Sequence, residues 1–191
     1  PNNLFNMLTI YGLLEKITYY NQENDFLVAK LQEKGKRGLT AIVGRLAGMN
    51  PGESLKLTGE WVYNKKFGEQ FKVESYEVTA PSTVHGIQKY LGSGLIKGIG
   101  PLMAERIVDQ FGLDTLEVIE KKPERLSEVA GIGPKRIAMI TKAWEEQREV
   151  KGIMIFLQGH GVSAAYSAKI YKQYGPHYIE RVKENPYRLA R

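Results

Sequence analysis

Hydrophobic and polar positions follow two different patterns along the chain. The first 80 residues contain short β-type runs without a helical period, and polar or glycine-bearing breaks separate these runs. This arrangement is typical of short strands joined by turns. The runs lie at 8–20, 25–34, 39–46, 54–63 and 69–78. Five such strands predict a small barrel, closed or nearly closed, because closure removes the exposed edges of a sheet.

The pattern becomes helical after Pro81. Residues 82–92 begin with Ser and Thr, which commonly cap helices, continue with an apolar-periodic stretch and stop at glycine. From there to the end, short helical stretches alternate with Gly or Pro breaks. The predicted fold class is α+β in separate domains. These are an OB-like barrel over 1–80, an all-α tandem helix-hairpin-helix domain over 81–150 and a further helical hairpin segment over 151–191.

A glycine motif recurs in the helical half. The stretch KGIGPLMAERIV at 97–108 is nearly repeated 33 positions later as AGIGPKRIAMIT at 130–141. A looser copy, QGHGVSAAYSAK, lies at 158–169, where His and Val replace the Ile and Pro. Helical units that repeat after about 30 residues pack against one another in tandem. The repeat therefore predicts two hairpins of similar structure and a weaker third.

The motif suits a phosphate-binding turn at the start of a helix. The first helical turn leaves backbone N–H groups without partners and carries a partial positive charge. Glycine permits close approach, and proline tolerates the first helical position, where its missing N–H is not needed. The expected product is a clamp on the DNA backbone that reads no sequence. The candidate DNA-binding residues are Lys97, Gly98, Gly100, Gly131, Gly133, Lys135 and Arg136.

A structural role for the same glycines is the alternative. A helix–turn–helix corner can use glycine only to let two helices approach closely. Two near-identical copies in a basic domain favour phosphate binding, whereas packing is the default for the third copy. Its weaker candidate residues are Gly159, Gly161 and Ser163.

Charge is concentrated in the half that carries the motif. The chain has a net charge of +6. Residues 1–80 contain 10 Lys and Arg against 9 Asp and Glu, while residues 81–191 contain 17 against 12. A basic excess in the helical half fits an anionic partner such as nucleic acid.

Several other kinds of chemistry are disfavoured by the sequence. There are no cysteines, and the three histidines lack metal-ligand spacing, so we expect no metal site. No apolar run approaches the roughly 20 residues of a membrane span. The glycines do not form GxGxxG after a strand, and GxxxxGK followed by Ser or Thr is absent. No catalytic residue is proposed, and we expect no cofactor within this chain.

The turn between the last two strands offers a second, weaker DNA-binding candidate. Lys65, Lys66 and Phe67 combine cations with an aromatic ring, which suits single-stranded nucleic acid, although a protein partner is also open. Nearby aromatic residues have a more ordinary role. Trp61 and Phe71 are expected to fill the barrel core.

The order of domains resembles the N-terminal region of the long RecD-like bacterial ATP-dependent DNA helicases. The resemblance rests on LTGEWVYNKKFGEQFKV, YLGSGLIKGIGPLMAERIVDQFG, PERLSEVAGIGPKR and ENPYRLA, which span nearly the whole chain. It implies a bacterial, cytoplasmic DNA-binding module of DNA repair and recombination, without a membrane contact. It also implies a 5′ to 3′ motor that uses ATP and Mg²⁺ and lies beyond Arg191, so that this chain is not the hydrolase itself.

Two alternatives remain open. The Holliday-junction-binding subunit of the branch-migration complex joins the same two kinds of domain in the same order. The third glycine unit and the NPYRLA ending fit it poorly. A protein-interaction module is the other, since helix-hairpin-helix repeats also serve as packing scaffolds.

Overall fold

Five strands form the N-terminal half. The computed structural model describes residues 7–46 and 48–161, without the side chains of 153–159. The strands are β1 (Leu8–Tyr20), β2 (Phe26–Glu33), β3 (Thr40–Arg45), β4 (Ser54–Asn64) and β5 (Gly68–Thr79). They close into a barrel in the order β1-β2-β3-β5-β4, in which only the described β3–β5 pair is parallel. The predicted barrel is confirmed, with each strand within two residues of its predicted bounds.

The barrel core follows from the alternation of side chains along the strands. In β2, Leu27, Ala29 and Leu31 are buried and their neighbours are more exposed. Phe71 is fully buried, and the Trp61 ring meets it edge-on at 5.2 Å between centroids. The core placement predicted for these two aromatic residues is therefore confirmed, although Trp61 stays partly exposed.

In the part of the chain that the structure describes, four α-helices follow the barrel. They are α1 (Val84–Gly92), α2 (Pro101–Phe111), α3 (Thr115–Lys121) and α4 (Pro134–Gly159), with short 3₁₀ turns before and after α3. Thr83 caps α1 by accepting a hydrogen bond from the Gly86 N–H at 2.9 Å. The helix ends at Gly92, as predicted.

The last described helix is longer than the expected short helical stretches. The 26 residues of α4 run through position 150, so the predicted boundary at 150/151 falls inside one helix. Between Lys135 and Lys151 there is no Gly or Pro, and most residues in that stretch are good helix formers. Gly152 lies just past that boundary, yet α4 continues through it to Gly159.

A buried ion pair joins the barrel to α4. Glu53, in the loop before β4, is 1% exposed and accepts hydrogen bonds from the Asn50 N–H at 2.6 Å and from Lys151 Nζ at 2.7 Å. The Lys151 ammonium also lies 4.7 Å from the centre of the Tyr90 ring in α1. Burial alone would lower the pKa of Lys151, but the Glu53 carboxylate and the Tyr90 hydroxyl together outweigh it, and the pKa is raised.

A second ionic contact links β1 to α1. Glu15 accepts hydrogen bonds from His85 Nε2 at 2.9 Å and forms an ion pair with Lys89 Nζ at 3.0 Å. Partial burial opposes the effect of these two groups, yet together they hold the pKa of Glu15 below its usual 4.5. The charged form of this carboxylate therefore favours the folded state.

We expect Glu15→Gln to weaken the acid sensitivity of the fold. Because the pKa of Glu15 is lower in the folded chain, its stabilisation is present above about pH 4.5 and is lost as the pH falls through the folded value. The free energy of unfolding from urea titrations should therefore decline less steeply below that pH in the variant. Glu105→Gln, at an exposed position of α2, is the matched control. Identical pH profiles for wild type and Glu15→Gln would contradict this prediction.

Candidate nucleic-acid interface

The first glycine hairpin connects α1 to α2. Gly98 has φ +101°, a left-handed conformation that favours glycine. Ile99 turns inward and is 4% exposed. Gly100 is the N-cap of α2 with φ −97°, and Pro101 is the first helical residue. The hairpin therefore delivers the chain to a helix N-terminus with its isoleucine anchored in the core.

The second hairpin repeats this geometry at the start of α4. Gly131 has φ +90°, Ile132 is 6% exposed, and Pro134 begins the helix. The first intrahelical bonds also match, since the N–H groups of Ala104 and Ile137 donate to the carbonyls four residues earlier, at 2.9 and 3.1 Å. The predicted structural repeat is therefore present in both units.

Each hairpin packs on the helix that follows the other hairpin. A Cβ atom added to Gly98 would lie 3.1 Å from Ile140 Cγ1 and 3.3 Å from Met139 Sδ, both in α4. A Cβ atom added to Gly131 would lie 3.4 Å from the side chains of Met103 and Arg106, both in α2. This reciprocal packing gives the two units an approximate twofold relation and fixes the spacing between their helix N-termini.

The second glycine of each hairpin has a different environment. Gly100 and Gly133 are exposed, and a Cβ atom at either position would have no other group within 4 Å. Neither has a positive φ among the described glycines. Packing and backbone conformation therefore require glycine at Gly98 and Gly131 but leave it unexplained at Gly100 and Gly133. A missing side chain at an open helix N-terminus is what close approach of a phosphate needs.

The charges beside the hairpins favour an anion. Lys97, Lys135 and Arg136 are exposed, and the first turns of α2 and α4 contain no acidic residue. Lys135 and Arg136 occupy the first turn of α4, where the helix dipole favours negative side chains. Their positive charge is thus unfavourable for the isolated helix and favourable for a bound phosphate.

One further candidate residue is not evident from the sequence. Arg106 is exposed on α2, yet its guanidinium approaches the second hairpin, 3.4 Å from the Cβ position of Gly131. In the aligned repeat its counterpart is Met139, which is 43% exposed beside the first hairpin. The second hairpin is therefore more basic than the first. The repeat alignment marks the position of Arg106, but only the tertiary packing reveals which hairpin it faces.

The weaker candidates lie apart from these two hairpins. Gly159 is the last residue of α4, and Gly161 has φ +85°, whereas Ser163 lies outside the described residues. At the β4–β5 turn, Phe67 is 65% exposed and Lys66 Nζ lies 5.3 Å from the centre of its ring. Lys65 is exposed in the same turn. These sites stay predictions.

The described part of the chain contains neither a metal-binding cluster nor a membrane-spanning helix. Within the described ranges, no group of three or more His, Cys, Asp and Glu side chains could hold a metal ion. None of the helices described is long and apolar enough to cross a membrane.

Comparison with known proteins divides the chain in the same way. A family model described as the OB-fold domain of the ATP-dependent DNA helicase YrrC matches residues 7–81. A SAM-like helix-hairpin-helix tandem model matches 93–146, and a model of the ATP-dependent RecD2 DNA helicase HHH domain matches 146–191. The first two matches coincide with the barrel and with the two hairpins described above.

A curated relative that aligns with most of this chain is also a RecD2 helicase. The ATP-dependent RecD2 DNA helicase of Deinococcus radiodurans is 21% identical over 161 residues. The alignment covers 83% of this chain but only 22% of the relative, so the chain spans about a fifth of that protein's length. In the kind and order of its domains, the chain matches the N-terminal region of the RecD-like ATP-dependent DNA helicase family.

Proposed function

We propose that the chain is the sequence-independent DNA-binding module of a RecD-like 5′ to 3′ helicase that acts in DNA repair and recombination. The observation that carries this proposal is the glycine at the N-terminus of each helix, Gly100 and Gly133. Neither packing nor backbone conformation requires glycine there, and the space beside each residue is open. Backbone N–H groups at two helix N-termini would meet phosphates there. Lys97, Lys135, Arg136 and Arg106 would add charged contacts beside them.

The paired hairpins favour duplex DNA as the ligand. The two strands of a duplex are related by twofold axes, and the two hairpins have an approximate twofold relation of their own through their reciprocal packing. One hairpin would therefore contact each strand. Because the contacts run to the sugar–phosphate backbone, they would hold the DNA without reading base sequence. The motor that uses ATP and Mg²⁺ would be supplied by the remainder of the parent protein.

A junction-binding subunit and a protein-interaction scaffold are less well supported. Both could use a barrel followed by helix-hairpin-helix units. The match of residues 146–191 to a RecD2 domain favours the helicase. The absence of acidic residues from the first turns of α2 and α4 favours a phosphate ligand over a protein scaffold.

We expect Lys135→Gln/Arg136→Gln to weaken duplex binding and its dependence on salt. Fluorescence anisotropy of labelled duplexes across a salt series measures both. The slope of log K against log salt should fall by about two, roughly one for each phosphate that is no longer neutralised. The reduction should be the same for unrelated duplex sequences, while the free energy of unfolding should not decrease, because the two charges oppose the helix dipole.

Lys121→Gln/Lys122→Gln is the matched control, since both lysines are exposed at the end of α3 and carry the same charge. If it lowers the slope as much as the first variant, only overall charge matters and the hairpin assignment is wrong. If the wild-type chain binds neither duplex nor forked DNA, the DNA-binding proposal fails and the interaction-module alternative is preferred.

A further inference from the structure

The two hairpins have similar backbones but different side chains around them. In the repeat alignment, Leu102 of the first unit corresponds to Lys135 of the second. Met103, which is 8% exposed, corresponds to the exposed Arg136. The first turn of α2 therefore lacks both of the cations that the first turn of α4 carries.

The reciprocal packing of the two units increases this difference. Because each hairpin packs on the helix that follows the other, Arg106 of α2 lies beside the second hairpin, and its counterpart Met139 of α4 lies beside the first. Met139 Sδ is 3.3 Å from the Cβ position of Gly98. The second hairpin thus gains a cation from the other unit, whereas the first gains an apolar side chain.

Two large apolar side chains at the first hairpin are open to solvent. Leu102 is 61% exposed and Met139 is 43% exposed. Leu102 directly follows Pro101, the first residue of α2, so it lies at the helix N-terminus where a phosphate would bind. Between positions 97 and 104 the single charged residue is Lys97. We call Leu102 and Met139 the apolar rim of the first hairpin.

The sugar is the part of a DNA strand that suits an apolar rim. Each phosphate is flanked by two deoxyriboses, so a side chain beside a bound phosphate is within reach of a sugar. The C2′ atom of deoxyribose carries only hydrogens, and an apolar side chain packs on it without burying a polar group. In ribose the same carbon carries a hydroxyl, which loses its hydrogen bonds to water when an apolar side chain covers it. An apolar rim therefore favours deoxyribose over ribose.

We propose that the apolar rim packs against deoxyribose and makes the module bind DNA in preference to RNA. The proposal rests on the phosphate binding proposed above. It adds a specificity that the phosphates cannot supply, because DNA and RNA carry the same phosphates. The second hairpin, with Lys135, Arg136 and Arg106, supplies most of the charge-dependent affinity. The two hairpins thus have different roles on the two strands of a duplex.

The test compares the affinities of the whole chain for a DNA duplex and an RNA duplex of the same sequence. Leu102→Gln/Met139→Gln makes both side chains polar at similar length, and glutamine is a good helix former, which protects the fold. We expect affinity for the DNA duplex to fall on the order of tenfold, which is roughly threefold for each lost apolar contact. Affinity for the RNA duplex should change little, so the DNA-to-RNA ratio should fall by the same factor. The salt dependence should stay as in wild type, because no charge changes.

Val84→Gln/Leu113→Gln is the matched control, since these side chains are 45% and 66% exposed, at the start of α1 and in the 3₁₀ turn after α2. If this control lowers the DNA-to-RNA ratio as much as the rim variant, a general loss of apolar surface is the cause and the proposal is overturned. An unchanged ratio in the rim variant also overturns it. Leu102→Gln alone serves the same purpose if urea titration shows that the double variant is unfolded.

The wild-type chain separates this proposal from the proposed function. Equal binding of the two duplexes would overturn the role of the apolar rim and leave phosphate binding intact. Binding of neither duplex would refute the proposed function and the rim with it. Lys135→Gln/Arg136→Gln should lower the affinity for both duplexes alike, because it removes contacts to phosphate only. The DNA-to-RNA ratio therefore tests the rim, and the salt dependence tests the clamp.

Discussion

Replacement of Lys151 by methionine is expected to lower the free energy of unfolding by about 3 kcal/mol. The variant leaves the Glu53 carboxylate, which is 1% exposed, without the ammonium that lies 2.7 Å away. Removing one member of a buried pair costs about 3–5 kcal/mol, and we take the low end because 35% of the Lys151 side chain is open to water. Urea unfolding measured by circular dichroism gives the value.

A variant of Glu53 separates the energetic cost of an unpaired buried charge from the cost of lost packing. Glu53→Gln should cost less than Lys151→Met, because the remaining lysine can reach water whereas the remaining carboxylate cannot. The double variant should be more stable than Lys151→Met alone, since it leaves no buried charge uncompensated. Strict additivity of the two single effects would contradict a direct pair.

The two tryptophans can show which part of the molecule is destabilised. Trp61 lies in the barrel and Trp144 in α4, so single-tryptophan variants report the unfolding of each part separately. In wild type we expect the two signals to change at the same urea concentration, because the Glu53–Lys151 contact joins the parts. In Lys151→Met the transitions should separate. Coincident transitions in the variant would mean that other contacts suffice to couple the two parts.

Much of the barrel could be predicted because its signals are local. Alternating apolar positions and polar turns defined the five strands to within two residues at each end. The identity of the inward-facing side of β2 follows from the same alternation. The barrel–helix junction could not be predicted, because nothing near Glu53 in the sequence indicates that its partner stands 98 positions later. The length of α4 was also missed, since a boundary was predicted at 150/151 and the helix continues to Gly159.

The candidate sites divide along the same line. The glycines of the two hairpins were predicted from a repeat, and their backbone geometry then distinguished two different roles within each motif. Arg106 was not predicted, because its proximity to the second hairpin depends on how α2 packs. Candidate residues that are contiguous in the sequence, such as those of the turn at Lys65–Phe67, can be recognised without knowledge of the packing.

Gly100→Ala/Gly133→Ala is expected to reduce duplex affinity on the order of 100-fold while lowering the stability by less than about 1 kcal/mol at each helix N-terminus. Each added methyl group enters the space where a phosphate would approach the helix N-terminus. Loss of a hydrogen bond to a charged group costs about 1.5–3 kcal/mol, which corresponds to roughly tenfold or more for each hairpin. The fold should tolerate both changes, because φ is ordinary at Gly100 and neither new Cβ atom would meet another group. Anisotropy and urea unfolding on the same samples give the two quantities.

Two control variants determine what the result means. Gly152→Ala places a methyl group in open space on α4, away from the hairpins, and should leave duplex affinity unchanged. Gly98→Ala forces alanine into φ +101° against Ile140, so it should destabilise the fold whether or not DNA binds there. If the hairpins are only packing corners, alanine at the second glycine should leave duplex affinity unchanged. If they bind phosphate, the same change should weaken duplex binding. If Gly100→Ala/Gly133→Ala binds duplex as well as wild type, the hairpins are corners and the clamp is wrong. If affinity falls without loss of stability, backbone contact with phosphate is the remaining explanation for glycine at Gly100 and Gly133.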